Sequence, residues 1–322
     1  MPARAPPGKR FSNRWIMKRK KCEISTCASP ESPANPVSPI LRHRLGEMTV
    51  REVRDYLKTG RTVLLPYGVV EQHGYHLPLD TDIRNAEVMG GKLAEALGCL
   101  VAPTLNYCFS GGLLEGTINV APNTFSTMVC EIVKSLAIQG FENIIIVPGH
   151  GGSESLIHLK ESLRIQKWLD TSLANVLVLL TPLWDFSPTW LELFRSRDYH
   201  AGMAETSLLM HWCPEVVRSE IEMDAEDVSE MMRKDPDSFQ VRSALTSLKH
   251  EVPATAQDKR IAVGVMGFPE KASPELGRKI TEEIIKNAVP ALRGALQSAT
   301  ENRRTGKRNI QQDNEGLKIF SI

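Results

Sequence analysis

Short apolar runs separated by helical segments are what most restrict the fold open to this chain. Residues 62–70 form one such run and residues 143–147 a second, with Ile144-Ile145-Ile146-Val147 at its heart. Residues 175–182 make another, and 100–105 a briefer one. A run with no polar alternation is buried on both faces, as in a sheet covered by helices on either side. Between the runs the apolar residues recur at helical spacing. Thr49 caps a first helix over 49–57 with Val50, Val53 and Leu57 on one face. Ala86, Met89, Leu93, Ala94 and Leu97 line a second over 85–97, stopped by Gly98. Residues 124–140 and 156–169 repeat the pattern. Strand–helix alternation of this kind predicts an α/β fold, a three-layer sandwich with a mostly parallel central sheet.

In such sheets ligands collect beyond the carboxyl ends of the strands. The polar clusters lie there. The first strand runs into Glu71-Gln72-His73-Gly74-Tyr75-His76-Leu77-Pro78-Leu79-Asp80-Thr81-Asp82. On extended chain Glu71 and His73 point the same way, and Asp82 returns after a turn at Gly74 and Pro78. Two carboxylates and an imidazole suit Zn or Mn, and a carboxylate such as Asp82 can bridge two ions. The competing reading is a loop with hydrogen-bonded polar groups. The strand at 143–147 ends in Pro148-Gly149-His150-Gly151-Gly152-Ser153. A third cluster, Asp198-Tyr199-His200-Ala201-Gly202-Met203-Ala204-Glu205-Thr206-Ser207, follows a loop carrying Trp184, Trp190 and Phe194 and opens a helix. Taken alone, Glu205 there could simply compensate the helix dipole.

The 322 residues carry a formal net charge of +1, which gives no global attraction for nucleic acid or membrane, and no apolar run reaches the roughly 20 residues of a span. Six scattered cysteines without a CxxC suit reduced thiols in the cytoplasm. Residues 1–44 read as a disordered basic, Pro/Ser-rich tail with eight Lys or Arg before Cys22. A compact domain is expected over 45–296, and a solvated tail over 297–322 whose Leu317, Ile319 and Phe320 could dock on a neighbour. The charged stretch 219–260 reads as a surface insertion or lid, and 274–296 as a last helix with Pro290 as a kink or boundary.

The three clusters together resemble the creatininase (creatinine amidohydrolase) family. The likeness rests on Glu-x-His-Gly-x-His-Leu-Pro followed by Thr-Asp (Glu71 to Asp82), on Gly-His-Gly-Gly (Gly149 to Gly152), and on His-Ala-Gly-x-x-Glu-Thr-Ser (His200 to Ser207). Gly264-Val265-Met266-Gly267 and its following helix are similar too, so the resemblance spans about residues 45 to 296. It implies Glu71, His73, Asp82 and His150 as ligands of two divalent ions, Zn or Mn with iron also admissible, and Asp82 as their bridge. It implies His200 as the residue that handles a proton. Creatininases carry a Glu where this chain has Gly152. In relatives with the Gly-Gly form Glu205 is the replacement ligand. The segment 110–117 has Leu113-Leu114-Glu115 where many members have His and Pro before Gly-Thr. Both departures argue against creatinine itself as substrate. Ser110, Trp184 and Trp190 are the candidate substrate contacts, and His76 reads as a hydrogen-bonding support rather than a ligand.

The implied reaction is hydrolysis of a C–N bond in a cyclic amide or formamide by a metal-activated water. Opening of a cyclic ketone C–C bond is the enzymatic alternative. A binding or assembly protein without turnover is the other class, set against the retention of every ligand and of His200. The expected partners are a small-molecule substrate and further copies of the chain, with neither nucleic acid nor membrane.

Overall fold

The computed structural model describes residues 43–308. The basic segment expected as a tail therefore lies outside the described residues except at its end, and so do residues 309–322. At that end the chain is already part of the domain. His43 Nδ1 lies 2.9 Å from the Cys99 carbonyl oxygen, and Arg44 donates to Glu87 at 2.7 Å.

Four parallel strands form the central sheet in the order β2-β1-β3-β4: β1 Thr62–Tyr67, β2 Leu100–Val101, β3 Asn143–Pro148 and β4 Leu177–Leu180. Every residue of β1 and β3 is buried, as wholly apolar runs require, while β4 at the edge is half-buried. The expected second strand is cut to two residues because Pro103 has no N–H for the ladder. The chain rejoins the sheet at Leu105, whose N–H donates to the Pro66 carbonyl at 3.0 Å.

The helices in chain order are α1 Val50–Tyr56, α2 Thr81–Leu97, α3 Pro122–Gln139, α4 Ser153–Leu169, α5 Pro188–Arg195, α6 Met203–Trp212, α7 Glu226–Lys234 and α8 Pro274–Thr305. Thr49 and Glu52 cap α1 reciprocally. Parallel crossovers are right-handed. Passing outward from β1 to β2, α2 lies on one face, whereas α3 and α4, leading back across β1 to β3 and on to β4, lie on the other. Helices α6 and α8 pack with α2. The strand order reverses at β1, so the crevice between β1 and β3 is the topological switch point.

The stretch expected as insertion or lid holds α7 and an antiparallel hairpin, β5 Gln240–Ser243 with β6 Ala254–Gln257. The last helix does not stop where a tail was expected. It runs through Pro290 to Thr305. Pro290 is exposed, so the carbonyl deprived of its N–H partner faces water. Arg303 fastens the final turns by donating to the Asn175 and Glu142 carbonyls at 3.0 and 3.1 Å.

Helix α8 lies close enough to α6 that a methyl on Gly277 would overlap the Ser207 carbonyl oxygen, whereas Gly294 on the same helix has open space around it. Gly277→Ala should therefore lower the unfolding free energy by about 1–3 kcal/mol. Gly294→Ala should be neutral or raise it by roughly 0.5–1 kcal/mol. Urea unfolding of the two variants checks the packing, and equal midpoints would contradict it.

Candidate metal centre

The sheet brings three distant segments to one point. Strand β1 ends at Tyr67, short of the expected Val70, and the chain leaves the sheet carrying Glu71 and His73. Strand β3 ends at Pro148 and carries His150 beside them. Asp82 sits in the first turn of α2. Gly149 makes the junction feasible, since any side chain there would overlap the Asp82 carbonyl oxygen. The switch-point crevice and the first turn of α2 thus converge on Asp82.

Its two carboxylate oxygens face different partners. Asp82 Oδ1 is 3.2 Å from His73 Nε2, and Oδ2 is 3.0 Å from His150 Nδ1. Glu71 Oε2 approaches His150 Nδ1 at 3.1 Å, and Glu205 Oε2 approaches His73 Nε2 at 3.6 Å. Glu71, Asp82 and His150 form one set whose ligand atoms lie within 4.8 Å of one another, and His73, Asp82 and Glu205 form another. Glu71, His73 and His200 also meet that limit. Asp82 alone belongs to both of the first two sets.

All five residues of these two sets are buried. Three carboxylates in so dry a place need cations. Burial opposes charge on His73, yet Asp82 outweighs it and holds the imidazolium up to about 10. His150 is held well above its usual range against the same burial by Glu71 and Asp82. Burial pushes Glu205 up to about 7. His150 Nε2 is buried without a hydrogen-bond partner among the described residues, and the close contacts of Glu71 Oε2 and His73 Nε2 lack hydrogen-bond geometry. Nitrogen and carboxylate donors in two sets sharing one carboxylate fit a pair of divalent cations.

The third cluster is held by residues the sequence reading gave no role. The Asp198 carboxylate accepts from the N–H groups of Met203, Ala204 and Phe268 at 2.8, 3.1 and 2.8 Å, tying the start of α6 to the segment after Met266. His200 Nε2 lies 2.8 Å from the Gln72 carbonyl oxygen, and its ring centroid is 4.3 Å from that of His73. Burial, and then the charge on His73, push its pKa down to about 4. The Gln72 amide donates to Gly264 O at 3.2 Å, and Asp224 gathers the N–H groups of Ala262, Val263 and Gly264. Alternation along extended chain was a signal for Gln72, which points away from Glu71 and His73. Asp224 gave none, being one acid in a charged stretch. His76 Nε2 reaches Ala201 O at 3.1 Å and Thr206 Oγ1 at 3.0 Å, away from the two ligand sets.

A cavity of about 270 Å³ opens onto the cluster. Trp184, in a short 3-10 turn, and Trp190 and Phe194, on α5, wall it, although the sequence reading put all three in a loop. Phe239 and Gln257, from the hairpin region, line it together with Leu114. Ser110 lines it too, but its hydroxyl is committed to Glu71 Oε1 at 2.6 Å.

Residues 46–292 match the family model described as creatinine amidohydrolase. The chain is 28% identical over 261 residues to the mycofactocin precursor peptide peptidase of Mycobacterium ulcerans (strain Agy99), covering 76% of this chain and 90% of that one. It is 24% identical over 265 residues to the creatinine amidohydrolase of Pseudomonas putida, covering 77% and 95%. A solved mutant creatininase of Zn–Zn type superimposes with a TM-score of 0.59 and 25% identity over 78% of this chain and 97% of that one. With the fold, the shared carboxylate and the family match in agreement, the chain belongs to the creatininase family of metal-dependent amidohydrolases.

Proposed function

We propose that this chain hydrolyses a C–N bond of a small cyclic amide or formamide. The observation that carries the reading is Asp82, whose two oxygens serve two ligand sets. Glu71, Asp82 and His150 would hold one ion and His73, Asp82 and Glu205 the other. Two such cations, once bound, would supply a more acidic shared water and a polarised carbonyl. His200, neutral at pH 7, is in the form that accepts a proton and passes it to the departing nitrogen. Its Nε2 lies 2.8 Å from the Gln72 carbonyl oxygen and 3.0 Å from the Gln72 amide nitrogen, so backbone and side chain of Gln72 together position the ring. Trp184 and Trp190 exclude water and orient the substrate, and Ser110 positions Glu71. A peptide amide is the second reading, favoured by the likeness to the mycofactocin precursor peptide peptidase. Gly152 bears on both, because a side chain there would overlap His150 Nε2. The acid that creatininases carry at that position has no room here, and Glu205 supplies the charge from α6.

Reduced buried thiols at Cys99, Cys108 and Cys130 support a cytoplasmic setting. Exposed Ile138, Trp168 and Leu169 on α3 and α4 support self-association. No helix among the described residues is long and apolar enough to cross a membrane.

Metal analysis of the purified protein, followed by a screen of cyclic amides, formamides, cyclic ketones and short peptides, tests the reading directly. Turnover of ketones alone would replace it with C–C cleavage. Two variants then separate the roles within the site. Glu205→Gln should lower metal per chain, since a neutral amide is a poorer ligand than a carboxylate. His200→Asn should leave metal content near wild type and slow turnover by about 10² to 10⁴. A His200→Asn protein that loses its metal while Glu205→Gln keeps it would reverse the assignments.

Ligands must shed protons to bind metal. His73, held up to about 10, is protonated at pH 7 in the metal-free protein, and so is His150. Metal affinity should therefore rise with pH across 7 to 9, by roughly tenfold per unit for each proton displaced. Calorimetric titration with Zn in buffers of different ionisation enthalpy should show net proton release. A pH-independent affinity would contradict the charge assignment.

A further inference from the structure

The same cavity holds two acidic side chains that neither metal set uses. Glu154, in the first turn of α4, and Asp237, just before β5, both line it. Neither has an ion-pair partner within 4.0 Å among the described residues. Glu154 accepts hydrogen bonds from the Gln240 amide at 3.0 Å and the Ser153 hydroxyl at 3.4 Å. Burial, and then the charges on Glu154 and Asp235, hold Asp237 above its usual range. The aromatic wall of Trp184, Trp190, Phe194 and Tyr199 faces the same space. A carboxylate pair on its own would be only a solvated acidic patch. Here it shares a cavity with His150 Nε2, buried without a hydrogen-bond partner among the described residues, so whatever is bound at the metal centre occupies the same cavity as both acids.

We propose that Glu154 and Asp237 set specificity by receiving a positively charged nitrogen group of the substrate, an ammonium or guanidinium, while the amide to be cleaved sits at the metal centre. This rests on the hydrolase reading above and narrows it to cationic amides. The energetics favour such a group on two counts. A cation bound in the cavity is attracted by both carboxylates that line it. Aromatic faces add cation–π attraction to the same charge. An anionic substituent would meet like charge and be rejected.

The test uses the full chain loaded with Zn and two matched series of metal-seeking probes. The ω-aminoacyl hydroxamates carry an ammonium at increasing distance from the hydroxamate, and alkanoyl hydroxamates of equal length carry none. Calorimetry should show that at one chain length or more the cationic probe binds about tenfold tighter than its neutral counterpart, the scale of one additional charge pair. In the double variant Glu154→Gln, Asp237→Asn that ratio should fall to near one. Both are isosteric changes on partly exposed side chains, and the neutral series reports whether the site survives. Equal binding of the two series at every length, or a preference that persists in the double variant, overturns the proposal while leaving the metal centre standing. Failure of every hydroxamate to bind the Zn-loaded protein overturns the hydrolase reading and this proposal with it.

Discussion

Three carboxylates and two imidazoles buried in one cluster form the constraint on which the rest of this structure depends. Glu71, Asp82 and Glu205 cannot stay ionised in so dry a place unless positive charge accompanies them. Without metal, protons on His73 and His150 supply it. The parallel sheet makes the arrangement achievable. It ends β1 and β3 side by side, leaves a crevice where the strand order reverses, and lets α2 begin against the mouth of that crevice. A different strand order would have separated His150 from Glu71 by the width of another strand.

Much of this could be read from the residues. The apolar runs located the central strands because a sheet covered on both faces admits no polar alternation. The spacing of Glu71, His73 and Asp82 suggested a metal site, and the family motifs added His150, His200 and Glu205. The boundaries were less legible, and for identifiable reasons. The second strand fails at Pro103, which cannot donate to the ladder. The final helix outlasts its expected end because Arg303 finds backbone carbonyls at the base of the sheet, contacts that depend on tertiary placement. Asp198 and Asp224 were invisible as structural residues. Each gathers backbone N–H groups from segments remote in sequence, and a single acid carries no spacing signal for such a role.

The supports around the cluster divide the labour. Asp198 fixes the start of α6 and the segment beyond Met266 against each other, so His200 is aimed by backbone hydrogen bonds made without any ion. His76 braces the same turn through Ala201 and Thr206. Glu71, by contrast, is steadied by side chains only, the Ser110 hydroxyl on one oxygen and His150 beside the other. His200 is thus held by the backbone frame, whereas the buried acids and imidazoles rely on side chains held by one another.

The two ligand sets also differ in how much of the polypeptide they require. Glu71, Asp82 and His150 come from the first half of the domain, from two strands and the crossover helix nearest them. The set of His73, Asp82 and Glu205 needs α6, and the turn that presents α6 needs residues as late as Phe268. A chain emerging from the ribosome therefore carries every residue of the first set well before the second can be assembled. On the far side of the shared carboxylate His73 stands alone until α6 brings Glu205 to it.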